Sequence, residues 1–99
     1  LNSQQFTAKH QVELEDLRLR VGEFQTRAAQ GVLNEASRQE GIRMARRGLA
    51  LAEERLRKID LPAAERAAAN ADREFWLRAI TALTRTILAK AILVLVGEK

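Results

Sequence analysis

Apolar residues recur along this chain at the three- and four-residue steps of an α-helix in three separate stretches, each time on one side. In the first, Phe6, His10, Leu14, Leu17, Val21, Phe24 and Ala28 share a face, with Gln11, Glu15, Arg18 and Gln25 opposite. This predicts an amphipathic helix over about residues 4–29, capped by Ser3 and broken at Gly31. In the second, Ile42, Ala45, Leu49, Ala52, Leu56 and Ile59 step by three and four, a heptad-like seam that predicts a helix over residues 37–60. Ser37 and Glu40 have the spacing of a reciprocal capping box, and Asn34 is the rival cap. Val32, Leu33 and Ala36 leave open a single helix running through both stretches.

Asp60-Leu61-Pro62 ends the second stretch, because proline excludes the residue before it from the helical region and has no N–H to donate. A third helix is predicted over residues 62–96, with Asn70 as a candidate break. It opens on Ala63, Ala64, Ala67, Ala68, Ala69 and Ala71, small side chains that let another backbone approach closely. Trp76, Ile80, Leu83, Ile87 and Val94 then mark its packing seam. Phe75 and Trp76 are expected to anchor a core, and Arg78, Thr81 and Arg85 to line the wet side, with Glu74 in reach of Arg78. The expected fold class is all-α: one helical domain over residues 1–99, an antiparallel three-helix bundle or a long helical hairpin that completes a bundle by oligomerisation.

The third helix is expected to be a rod of about 50 Å, against about 36–40 Å for the other two. Its last turns, Ala91-Ile92-Leu93-Val94-Leu95-Val96, are apolar on every side and would outrun their own neighbours. A protein partner, another copy of the chain before others, is therefore expected on Phe75, Trp76, Ile80, Leu83, Ile87, Ile92, Val94 and Leu95, by helix–helix packing.

Composition agrees with a helical reading: among 99 residues there are seventeen Ala, fourteen Leu and thirteen Arg against one Pro and five Gly. A net charge of +4 favours anionic partners, and Arg43, Arg46, Arg47, Arg57 and Lys58 fall within one arc of the second helix. That ridge is the alternative site, for nucleic acid or an anionic membrane surface, although Glu54 lies within it and no aromatic residue stands near to stack a base. The plainer expectation is a solvated face whose arginines pair with Glu40, Glu53 and Glu54.

Phe75–Val96 contains no acidic residue and must be weighed as a membrane span. Arg85 and Lys90 near its middle would cost roughly 5–7 kcal/mol together, while its strongly apolar residues return only about 3–6 kcal/mol, so insertion is not expected. With no cysteine and no secretory leader in sight, the expected compartment is the cytoplasm. His10 and Glu13 share a helix face at a spacing two metal ligands use, but the other seams supply Ile, Leu and Ala instead of ligands. Glu53-Glu54 and Glu13, Glu15 and Asp16 lie off the seams, where carboxylates keep ordinary ionisation and serve solubility. There is no glycine-rich phosphate loop and no Ser/His/Asp set. No enzyme, cofactor, metal or small-molecule substrate is expected.

Overall fold

A computed structural model gives three α-helices: α1 Ser3–Ala29, α2 Glu35–Leu56 and α3 Ala63–Gly97. The structure describes the backbone of residues 3–97 and the side chains of residue 5 and residues 8–85. The helices pack against one another as an all-α three-helix bundle, most extensively α2 on α3, then α1 on α2, and least α1 on α3. The molecule is elongated, 58 × 21 × 15 Å along its principal axes.

The first turn is made at Gly31, the break expected from the sequence. Its φ of 74° is left-handed, which a residue with a Cβ adopts only at a cost. The Gly31 N–H donates to the Ala28 carbonyl (3.1 Å) and the Val32 N–H to the Arg27 carbonyl (3.0 Å), the two bonds of a Schellman motif. The next helix is capped by Asn34, whose Oδ1 accepts from the Ser37 N–H at 2.8 Å. The Ser37–Glu40 box predicted for this position is not the cap, and α2 starts at Glu35 instead of 37. One uninterrupted first helix is likewise ruled out by the turn.

At its other end α2 stops at Leu56, four residues short of the predicted 60. The guanidinium of Arg66, on α3, donates to the carbonyls of Leu56 (3.4 Å), the last residue of α2, and of Lys58 (3.3 Å) in the loop that follows, so neither is left open. Leu61 is buried, and Ile59, predicted as the last seam residue, is fully exposed. Pro62 sits one residue before α3, its carbonyl accepting from the Arg66 N–H at 2.8 Å. Asn70 does not interrupt the helix.

Two apolar clusters hold the bundle. One comprises Leu17, Val21, Ala45, Leu51, Ala52, Trp76 and Ala79, and the other Leu33, Ile42 and Leu83 with Phe24 and Ala28 against them. From His10 to Ala28 the α1 face is the predicted one; the side chains of Phe6 and of the expected cap Ser3 lie outside the described residues. On α2 the buried set is wider than the seam, adding Arg38, Gly41, Gly48 and Leu51, because this helix touches both neighbours. Gly48 leaves a slot for the Trp76 indole, where a Cβ would fall 2.3 Å from Cε2. Gly41 lies against Leu83 and Phe24, each 3.1 Å from where its Cβ would be. Of the six alanines expected to admit a close neighbour only Ala69 is buried; Ala63, Ala64, Ala67, Ala68 and Ala71 face solvent.

Candidate docking surface

Contacts across α2 and α3 set how far each helix reaches. Trp76 lies at Gly48 and Leu83 at Gly41, seven residues along each chain, so the two helices run antiparallel in a regular register. Gly41 is six residues inside the start of α2 at Glu35, so six residues of α3 beyond Leu83, to residue 89, have α2 beside them. Phe24 lies at the same level and α1 ends five residues later at Ala29. Residues 90–97, about 12 Å of helix, therefore extend past both neighbours. The five-residue turn between α1 and α2 does not follow them: Leu33 packs back against Ile42 and Leu83, while Val32 is left 67% exposed.

The residues expected to bind a partner are thereby divided. Trp76 and Leu83 have no exposed surface and Phe75 and Ile80 are half-buried, all four packed within the chain's own clusters. α2 occupies Trp76 and Leu83, so neither offers a surface in this bundle, contrary to the expectation that both face a partner. The Phe75 ring meets Trp76 edge-on at 4.8 Å, and the Arg18 guanidinium covers it at 4.6 Å while pairing with Asp72. Arg18, read from the sequence as part of an outward face, is a clasp between α1 and α3. The side chains of Ile87, Ile92, Val94 and Leu95 lie outside the described residues.

The arginine ridge is also rearranged. Arg43, Arg46 and Arg47 are exposed on α2, but Arg57 is its C-terminal cap and Lys58 lies beyond it, so the helix does not carry all five. The Arg43 Nε donates to Glu40 at 2.9 Å, as expected at this spacing. Arg47 reaches across to α1, donating to Glu13 at 2.6 and 3.3 Å, a partner that no spacing within α2 could indicate. These hydrogen bonds hold the Glu13 and Glu40 carboxyls below their ordinary range, against an opposing push from partial desolvation. Both guanidiniums are raised in turn by the same bonds.

His10 is mostly buried on the α1 seam, with Nδ1 3.7 Å from the same Glu13 carboxylate that Arg47 engages. The predicted Glu74–Arg78 pair is present at 3.8 Å. Among the described residues no three His, Cys, Asp or Glu side chains are grouped to hold a metal ion, and no helix is long and apolar enough to cross a membrane. Arg38 is the buried charge that sequence reading missed: it is 2% exposed, pairs with Glu35, and its Nε has no acceptor among the described residues. Its signal was available, since it stands one turn before Ile42 on the same face. Comparison with known proteins finds no matching family model, no matching curated protein and no matching solved structure.

Proposed function

We propose that this chain is a non-catalytic helical interaction and assembly module, with the cytoplasm as its setting, whose docking element is the carboxy-terminal end of α3. The observation that carries this reading is the overhang. Eight residues of α3 run past both neighbouring helices, and within them Ala91–Val96 is apolar at every position. A helix end with no polar side has nothing to present to water, and covering it by a protein surface is the favourable outcome of the hydrophobic effect. Phe75, Trp76, Ile80 and Leu83 serve this element indirectly, by fixing the root of the helix in the bundle.

The polyanion reading has less support, because Arg43 and Arg47 are engaged by Glu40 and Glu13 and the other cations of the arc are not aligned on one helix. The test is Leu93→Asp. An overhang outside the bundle predicts unchanged thermal stability of the chain together with loss of binding to the apolar-surface dye anilinonaphthalene sulfonate. If Leu93→Asp instead lowers the melting temperature as a core substitution does, this end of α3 belongs to the chain's own core and the reading fails.

A further inference from the structure

We infer that the outward face of α1 is a second interaction surface, separate from the α3 overhang, and that it takes another copy of the chain, the two α1 helices lying antiparallel about a two-fold axis between Val21 and Gly22. α1 packs on α2 and α3 and leaves its third side open. On that side Val12 is 81% exposed and Leu19 65%, seven residues apart and so nearly in line. Leu19 stands between two hollows. One, of about 380 Å³, is lined by Asp16, Leu19, Arg20, Glu23, Phe24 and Arg27. The other lies over Gly22 and Thr26, where a glycine with nothing near its Cβ position leaves the helix surface open.

The charges on this face select the occupant. Asp16, Arg20, Glu23 and Arg27 follow one edge of it with alternating sign, and the alternation reverses about its own midpoint. A two-fold axis through that midpoint brings the same edge of each helix together. It sets Asp16 opposite the other copy's Arg27 and Arg20 opposite the other copy's Glu23, and each attraction occurs twice. In a parallel pair every one of these residues would meet its own kind, which is repulsive. Arg20 already bonds Asp16 within its own helix at 3.2 Å, but both side chains are more than half exposed and keep donors and acceptors for a further partner. Beside this edge Glu40 is bonded by Arg43 and Glu13 by Arg47, so these neighbouring charges cancel in pairs.

The apolar side chains give the same register independently. With the axis between Val21 and Gly22, Leu19 of one copy comes over the gap between Gly22 and Thr26 of the other, which is the second hollow. Val12 comes level with Gly31 and with Val32, itself 67% exposed in the turn. Residues 14–29 of the two helices then lie alongside each other over about 24 Å, in an isologous contact that uses the same patch of both subunits. A contact of this length is at the low end of specific interfaces, so a reversible dimer of high-micromolar affinity is expected.

Sedimentation equilibrium from low micromolar to millimolar concentration tests the inference. The mass should rise from 11.1 kDa towards twice that value. Leu19→Asp should abolish the rise without lowering the melting temperature, since Leu19 lies outside the core, and Leu93→Asp should leave the rise unchanged. Arg27→Glu should weaken the dimer about tenfold by turning two attractions into repulsions, and Arg27→Glu with Asp16→Lys should restore it. Because the chain has no cysteine, single replacements read the register directly. Under mild oxidation Glu23→Cys, close to the axis, should join two chains by a disulfide, and Asp16→Cys, about 16 Å from its counterpart along the helices, should not. A chain that stays monomeric at millimolar concentration overturns the inference, as does a dimer that survives Leu19→Asp or that Leu93→Asp dissolves; the docking role of the overhang is decided separately, by the dye. A dimer indifferent to Arg27→Glu, not restored by the double exchange, or joined as readily through Asp16→Cys as through Glu23→Cys overturns the antiparallel register.

Discussion

Substituting alanine for Gly48 asks whether the bundle depends on the slot that this glycine leaves for the indole. The new Cβ would stand 2.3 Å from Trp76 Cε2 and 2.4 Å from Cδ2, where carbon atoms prefer about 3.5–4.0 Å. The ring must retreat by more than 1 Å by that comparison. It has little freedom to do so, since Trp76 has no exposed surface and Phe75 lies edge-on against it. Overfilling a packed core costs about 1–3 kcal/mol, and alanine returns about 1 kcal/mol of helix propensity. With a clash this close the cost lies in the upper part of that range, about 2–3 kcal/mol, so a net loss of about 1–2 kcal/mol follows, or a fall in melting temperature of about 5–15 °C for a chain of this size. Gly22 supplies the control. It lies within α1 with nothing near its Cβ position, so Gly22→Ala should stabilise by about 0.5–1 kcal/mol. Urea and thermal melts followed by circular dichroism and by the emission of the single tryptophan would measure both. The reasoning is refuted if Gly48→Ala is as stable as the parent, or if it destabilises equally in a Trp76→Leu background, since the clash would then not be with the indole.

Two further outcomes follow from the same physics. Asn34→Ala removes the acceptor for the Ser37 N–H and should cost about 1 kcal/mol, and Gly31→Ala places a Cβ on a left-handed residue and should cost about 1–2 kcal/mol; a Gly31→Asn variant closer to the parent in urea melts would confirm that backbone conformation is the cause. The Glu13 carboxyl is depressed in the folded chain, so its contribution is full above the ordinary value near 4.5 and is lost as pH falls through the folded value. Because this pair is partly exposed, that contribution is under about 1 kcal/mol. Stability measured from pH 6 down to about 2 should therefore fall less steeply in Arg47→Gln than in the parent, and identical slopes would rule out the Arg47–Glu13 bond as a source of acid sensitivity.

What the sequence determined by itself is the helical content, the inward face of α1, the turn at Gly31 and the presence of an apolar end on α3. These rest on local causes: side-chain periodicity selects a face, a glycine admits a left-handed turn, and a run without polar residues is apolar whatever surrounds it. Tertiary structure decided where α2 stops, because Arg66 from the next helix takes the carbonyls of its last residue, Leu56, and of Lys58 beyond it, and burial selects Leu61 over Ile59. It also decided that Gly48 faces Trp76, that Arg47 leaves its own helix for Glu13, and that Arg18 covers Phe75. Each of these contacts depends on the axial register and rotation of one helix against another. Those are set by which side chains interdigitate across the interface, and a glycine that makes room leaves no mark on the periodicity of its own helix.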